Sequence, residues 1–189
     1  MDLTSVTPAP NALKALSHPT RLQLLSLLRI EGPATATTLA ARVGINTGAA
    51  SYHLRQLAQH GFITDASGRG DGRDRWWEAK HQSTVAAKTA TSPEDRQALD
   101  AYLQSVAMMY TQNLQAAMEE RATLPDEWRL ASTFSDYHLK LTPARARELV
   151  ERLHQVLREV SEDTGSEVGD FVVQLSAYPR PGVLGVDPA

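Results

Sequence analysis

The strongest constraint on the fold of this chain is a pair of short amphipathic helices predicted between Ala34 and Gly61. The first covers residues 34–43, a glycine-containing turn follows at 44–46, and the second helix covers residues 47–60. Apolar residues recur in them at spacings of three and four, so each helix buries one face. Helices this short are stable only when packed against other elements. The inward-facing residues are Leu39, Ala40, Val43, Ala50, Leu54 and Leu57.

Supporting elements are predicted on both sides of this pair. A leucine-rich helix that begins at Pro19 and runs through Arg29 precedes it and supplies the core. Two short strands follow, at residues 62–64 and 75–79, and the glycine-rich stretch between them makes a β-hairpin with a long tip. Three helices and a hairpin in this order predict a winged helix-turn-helix. In that arrangement the last helix enters the DNA major groove, and the hairpin, called the wing, touches phosphates.

Polar residues cover the exposed side of the second helix of the pair, the recognition helix. Gly48, near its start, allows the backbone to approach DNA closely, and free N–H groups there bind phosphate. Arg55 reads a guanine edge or holds a phosphate, and the residues alone leave both roles open. Taken singly, each polar residue is equally compatible with solvated helix surface. The predicted DNA-contact residues of this helix are Thr47, Gly48, Ser51, Tyr52, His53, Arg55 and Gln56, with His53 and Gln56 at its boundary.

Charge divides the chain into two parts. Residues 11–82 contain nine basic and five acidic side chains, a net charge of +4, whereas residues 83–189 contain ten basic and sixteen acidic ones, a net charge of -6. A basic segment beside an acidic one indicates that the first faces a polyanion. In the wing we expect phosphate contacts from Arg69, Arg73 and Arg75. Trp76 and Trp77 at the wing base alternate, so one ring anchors the hairpin while the other points outward.

Two stretches resemble the signature motifs of winged-helix regulators of the ArsR (arsenical-resistance repressor) type. They are ALSHPTRLQLL at residues 15–25 and SYHLRQLAQHGFI at residues 51–63, and the resemblance covers about residues 11–82. It implies a homodimer that binds double-stranded DNA at a palindromic operator, often as a repressor. It also implies that residues 47, 48, 51–53 and 55 lie at the DNA face.

The chain departs from that family in two respects. Many members sense metals through cysteine pairs, and this chain has no cysteine. The histidines beyond the wing, His81, His138 and His154, have no ligand partner three or four residues further on. We therefore expect no metal and no other cofactor. The second departure is length, because small members end one helix after the wing and this chain continues for nearly a hundred residues.

A long helix is predicted after the wing, from Ser92 to Ala122. Ser92 caps it, Pro93 is its first residue, and acidic residues follow in the first turn. One winged helix reads only a few base pairs, so a second copy is needed, and the apolar stripe of this helix is the predicted interface. The predicted dimerisation residues are Leu99, Leu103, Val106, Tyr110 and Leu114.

The rest of the chain predicts a small αβ domain that serves dimerisation or senses an effector, an unknown small molecule or protein. Strands are predicted at residues 128–132, 137–141 and 171–177, with a helix after Thr142 between the last two. The fold class is thus mainly α, of α+β type. The predicted organisation is a disordered leader at 1–10, the winged helix-turn-helix domain at 11–82, the long dimerisation helix at 92–122, the αβ domain at 128–178 and a loose tail at 179–189.

Other function classes fit the sequence less well. It contains no glycine-rich phosphate loop, nucleophile elbow or metal triad, so an enzyme is not expected. No run approaches the length of a membrane span and the first residues do not resemble a secretory signal, so we expect a cytoplasmic protein with no membrane partner. The acidic second half keeps one alternative open, a winged helix whose main partner is another protein.

Overall fold

The computed structural model describes residues 4–66, 74–85, 92–165 and 167–184. The chain forms two compact units, one of residues Leu3–Ala131 and one of Ser132–Ala189 together with Met1–Asp2. Among the described residues, no helix is both long and apolar enough to pass through a lipid bilayer.

The elements of the first unit follow the predicted order of helices, hairpin and long helix. Its helices are α1 (Pro10–Leu16), α2 (Pro19–Ile30), α3 (Ala36–Val43), α4 (Thr47–Gln59), α5 (Pro93–Glu120) and α6 (Asp126–Ala131), and a single 3-10 turn (Arg121–Thr123) follows α5. Its strands are β1 (Ser5–Val6), β2 (Ala34–Thr35), β3 (Ile63–Asp65), β4 (Trp76–Ala79) and β5 (Ser83–Thr84). The helix-turn-helix is thus α3 and α4, and the wing is β3 and β4.

Local capping determines where α3 and α4 begin and end. The side-chain oxygen of Thr35 accepts a hydrogen bond from the Thr38 backbone N–H (3.2 Å), and Asn46 Oδ1 accepts one from the Ala49 N–H (2.8 Å). Gly44 ends α3 with a φ of 73°, in the left-handed region that glycine enters without a steric penalty. The turn between the helices is therefore specified by a glycine stop followed at once by an asparagine start.

A three-stranded antiparallel sheet in the order β2-β4-β3 supports the wing. Trp77 lies opposite Ala34 on one side and Asp65 on the other, and its ring is 3% exposed. It joins one core cluster with the leucines of α1 and α2 and with Leu39, Leu54, Leu57, Phe62 and Ile63. The prediction that one of the two tryptophans anchors the hairpin fits this placement, since Trp76 stays half-buried.

The leader departs from the prediction. Residues 1–10 were expected to be disordered, but Ser5–Val6 forms β1 and pairs in parallel with β5, and α1 begins at Pro10. The Ser5 and Ser83 hydroxyls lie 2.6 Å apart, and Gln82 Oε1 accepts from both the backbone N–H and the hydroxyl of Thr4. Hydroxyl and amide side chains thus hold a segment whose own composition is too polar to pack.

The long helix α5 packs its first half on the winged helix. Ser92 and Asp95 form a reciprocal capping box at its start, which confirms the predicted helix start. Ala98, Tyr102 and Ser105 are buried, and the Ser105 hydroxyl donates a 2.7 Å hydrogen bond to the Ser17 carbonyl, just after α1. The helix is therefore part of the first unit and does not project from it along its whole length.

The region after α5 corrects the predicted αβ domain. Residues 128–132 were predicted as a strand, but Asp126–Ala131 is the helix α6, which has two acidic residues in its first turn. In the second unit the predicted helix is present as α7 (Pro143–Glu159), with Thr142 as its cap. The described residues of that unit, 132–165 and 167–184, contain no strand, so the predictions for 137–141 and 171–177 are wrong. The alternating apolar residues of these two segments have no neighbouring strand to pair with in the described part of that unit, and Tyr137 is 82% exposed.

Candidate nucleic-acid interface

A concave groove of ≈ 220 Å³ lies where α3 begins, beside α4 and the base of the wing. Three different elements thus meet around one hollow on the side of α4 that faces the hairpin. The residues that line it are Thr35, Ala36, Thr37, Thr47, Ser51, Arg55, Asp74, Arg75 and Trp77.

The recognition-helix residues fall into three groups around α4. Thr47, Ser51 and Arg55 line the groove, at spacings of four residues along one side of the helix. Gly48 and Tyr52 are on the outward face, where the Tyr52 side chain is 55% exposed. Ala50, Leu54 and Leu57 hold the opposite face in the core.

His53 lies on the flank of α4 away from the groove. Its ring packs against that of His18 with centroids 4.5 Å apart, and Tyr52 meets it edge-on at 5.3 Å. Gln56 is half-buried, and its Nε2 donates to Gln59 Oε1 at 3.4 Å. The two residues predicted at the boundary of the recognition helix therefore do not join the groove-lining set.

At the base of the wing, Arg75 is held by two intramolecular contacts. Its Nε lies 2.7 Å from Asp65 Oδ2, and its guanidinium carbon lies 4.1 Å from the ring centroid of Trp77. These two contacts fix a cation at the edge of the groove. Because the ion pair engages Nε, the other N–H donors of the planar guanidinium remain available. Arg69 and Arg73, also predicted to contact phosphate, lie outside the described residues.

The groove also contains residues that the sequence analysis did not single out. Thr35 caps α3, Thr37 follows in its first turn, and Asp74 lies at the start of the returning wing strand. The threonines had a sequence signal, since a hydroxyl residue just before a helix places free backbone N–H groups near its first turn. Asp74 had no such sequence signal, because the residues alone do not define the register of the hairpin.

Arg29, at the end of α2, joins the exit of the wing to the long helix. Its Nε donates to the His81 carbonyl and its Nη2 to the Thr84 hydroxyl, both at 2.8 Å. Burial lowers the pKa of Arg29 to about 10, and burial raises the pKa of Tyr102 of α5 to about 12. The sequence predicted Arg29 only as the end of the leucine-rich helix, whereas in the structure it is half-buried and joins α2 to the exit of the wing.

Three packed helices, a projecting recognition helix and a hairpin beside it define a winged helix-turn-helix domain. Residues 16–66 match a family model described as a helix-turn-helix domain. The HTH-type transcriptional regulator NmtR of Mycobacterium tuberculosis is 36% identical over 70 residues, which are 36% of this chain and 58% of that protein. The chain thus matches less than two thirds of the length of this curated relative.

Two solved structures are also similar. One is described as a possible transcriptional regulator for arsenical resistance, with 30% sequence identity, 56% of this chain and 93% of that chain covered, and a TM-score of 0.33. The other is a double mutant of Lactococcus lactis ZitR in the apo form, with 17% identity, 76% and 82% coverage and a TM-score of 0.34. Over the matched region the chain is similar to ArsR-type winged helix-turn-helix regulators, which confirms the resemblance drawn from its two motifs.

Proposed function

We propose that this chain is a DNA-binding transcriptional regulator that acts as a homodimeric repressor on a palindromic operator. The observation that supports this best is the groove beside α4, where Thr47, Ser51 and Arg55 face the same hollow as the wing-base cation Arg75. Hydroxyl groups and an arginine on a projecting helix suit base edges in a major groove, and a cation at its side suits the flanking phosphates.

The test uses the full chain and a library of random duplex DNA. Bound sequences are selected, and the affinity for the selected duplex is measured across a range of salt concentrations. We expect a two-fold symmetric consensus with half-sites about 34 Å apart and an affinity that falls steeply with salt. Binding that is absent at low salt, in a chain shown to be folded, would contradict the proposal and favour a protein partner instead.

Arg55→Ala is expected to weaken operator binding by about 1–3 kcal/mol and to relax the preference at one base position, if the guanidinium contacts a base edge. Non-specific affinity should change little. A suitable control is Arg42→Ala, since Arg42 lies exposed on α3 and pairs with Glu31. Fluorescence anisotropy with operator variants at each position distinguishes a loss of preference at one base position from an equal loss of affinity on every duplex. Equal losses on every duplex would assign Arg55 to a phosphate.

Metal control is not part of the proposed mechanism. The chain has no cysteine, and among the residues that the structure describes no three histidine or acidic side chains are grouped as metal ligands would be. We therefore expect chelators and added Zn²⁺ to leave the operator affinity of the purified protein unchanged. A stoichiometric metal whose removal shifts that affinity tenfold would contradict this expectation.

Dimerisation is proposed through the outer side of α5. The predicted stripe divides in the structure, because Leu99 and Val106 pack against the core of their own unit whereas Leu103 and Leu114 are 44% and 45% exposed. Tyr110 lies between these groups, and burial raises its pKa. Exposed apolar side chains that recur along one helix favour pairing with the same helix of a second copy.

A further inference from the structure

A cluster of nitrogen donors lies on the flank of α4 that is turned away from the groove. It consists of His18, just before α2, Arg21 in the first turn of α2, and His53 of α4. The two imidazole rings are stacked at 4.5 Å with a tilt of 48°. Within the described residues, Nδ1 of His53 and Nε of Arg21 are buried and have no hydrogen-bond partner, and the buried Nδ1 of His18 has none outside its own residue. Three such buried nitrogens are unusual in one place, because buried polar atoms are nearly always paired.

The position of this cluster relates it to the recognition helix. Residues 47, 51 and 55 lie on one flank of α4, beside the wing base, and residue 53 lies on the other. Tyr52, exposed on the outward face, touches the His53 ring edge-on and acts electrostatically on Arg21. A helix of about 10–12 Å diameter fills a major groove about 12 Å wide, so each of its flanks faces the phosphates of a different strand. The wing base and this cluster are therefore on opposite sides of the inserted helix.

The electrostatics of the cluster favour neutral imidazoles in the free protein. Burial, and then Arg21, lower the pKa of His18, while an interaction with its own backbone opposes this. Burial, then His18 and Arg21, lower the pKa of His53. Arg21 of α2 thus acts on both histidines, His18 acts on His53, and Tyr52 of α4 acts on Arg21.

We propose that His18, Arg21 and His53 form a second phosphate-contact edge of the DNA-binding surface and that the imidazoles take up a proton when DNA binds. The inference rests on the proposed function and adds to it a second set of contacts and a pH dependence. The phosphates of an approaching strand supply the negative charge that stabilises an imidazolium beside them, and the partly exposed Arg21 side chain adds a cation on the same flank.

The sign of the pH dependence follows from this linkage. The DNA-bound state holds more protons than the free state, so affinity rises as the pH falls through the pKa of the bound cluster. Each proton taken up changes the dissociation constant by at most about tenfold per pH unit. Phosphate contact by Arg21 also adds about one released counterion to the salt dependence.

The experiment measures affinity for one duplex from about pH 7.5 to about pH 6, at several salt concentrations, for the full chain and three variants. For wild type we expect affinity to rise about three- to tenfold as the pH falls. The double variant His18→Gln/His53→Gln should lose most of that rise, and Arg21→Gln should lower the salt slope by about one. His60→Gln, at the C-terminal end of α4 and outside the cluster, is the matched control and should behave as wild type.

The outcomes separate this inference from the proposed function. DNA binding with an unchanged pH dependence in the histidine double variant and an unchanged salt slope in Arg21→Gln overturns the phosphate edge and leaves the proposed function standing. No DNA binding by folded wild type overturns both. NMR titration of the wild-type imidazoles gives a second measurement that does not depend on the folding of a variant. The pKa of His18 or His53 should rise when the duplex is added, and an unchanged pKa of both overturns the inference.

Discussion

Replacing Leu103 and Leu114 with glutamate is expected to convert a dimer into a soluble monomer and to weaken operator binding on the order of 100-fold. Both side chains are exposed on α5, one on each side of Tyr110, and neither belongs to the core of its own unit. Two charges on each copy would face two on the other across a two-fold axis, without counter-charge. Each half-site would then be bound alone, so the gain from linked binding is lost. Light scattering and anisotropy measure the two effects.

Met108→Glu is the control for the dimer prediction. Met108 is also an exposed apolar residue of α5, 52% accessible, but the helical repeat places it on a different side from Leu103 and Leu114. Its substitution should leave mass and affinity unchanged. If instead the double variant remains a dimer, the interface lies elsewhere, and the apolar face of α7 is the next place to test.

The dimer stripe shows what helical spacing can predict and what it cannot. Spacing correctly grouped Leu99, Leu103 and Val106 on neighbouring positions of one helix. Helical spacing does not predict which part of that wide apolar face packs against the core of the same chain and which part stays exposed. In the structure the side with Ala98, Tyr102 and Ser105 packs inward, and Val106 contacts the same core. A glutamate at Val106 would therefore test folding as well as association.

The winged helix was predictable because its signals are local and agree with one another. The break at residues 44–46 defines the turn, and the apolar residues of α3 and α4 have a helical period. The groove follows from these helices once the hairpin is added. The orientation of His53 was not predictable, because its neighbour His18 lies 35 residues away in the sequence and no local pattern connects the two rings.

The errors share a physical cause, which is that pairing partners were not specified by the sequence. Residues 137–141 alternate between polar and apolar side chains as strands do, but a strand needs a neighbouring backbone to satisfy its hydrogen bonds. The leader shows the reverse situation. Ser5–Val6 has too few apolar residues to predict order, yet β5 supplies the hydrogen bonds that make it a strand. Short strands of this kind depend on distant partners more than on their own composition.

Trp77→Ala is expected to lower the free energy of unfolding by about 3–5 kcal/mol. The ring is almost fully buried in the core cluster, and its residue pairs with both neighbouring strands of the wing sheet. It also carries Arg75 on its face and lines the groove with Arg55. Loss of the ring should therefore weaken DNA binding even below the temperature at which the variant unfolds. Urea denaturation followed by circular dichroism gives the stability.

Trp76→Ala tests whether the stability lost in Trp77→Ala comes from the anchoring position of Trp77 or only from the removal of an indole ring. Trp76 is the preceding residue on the same strand, and the alternation of a strand places its half-buried ring on the other face. We expect it to lose clearly less stability than Trp77→Ala and to keep the salt dependence of DNA binding. Similar losses in the two variants would mean that both faces of β4 support the wing equally. An unfolding midpoint of Trp77→Ala equal to that of wild type would show that the tryptophan is not the anchor, and that the wing is held by its backbone pairing with β2 and β3.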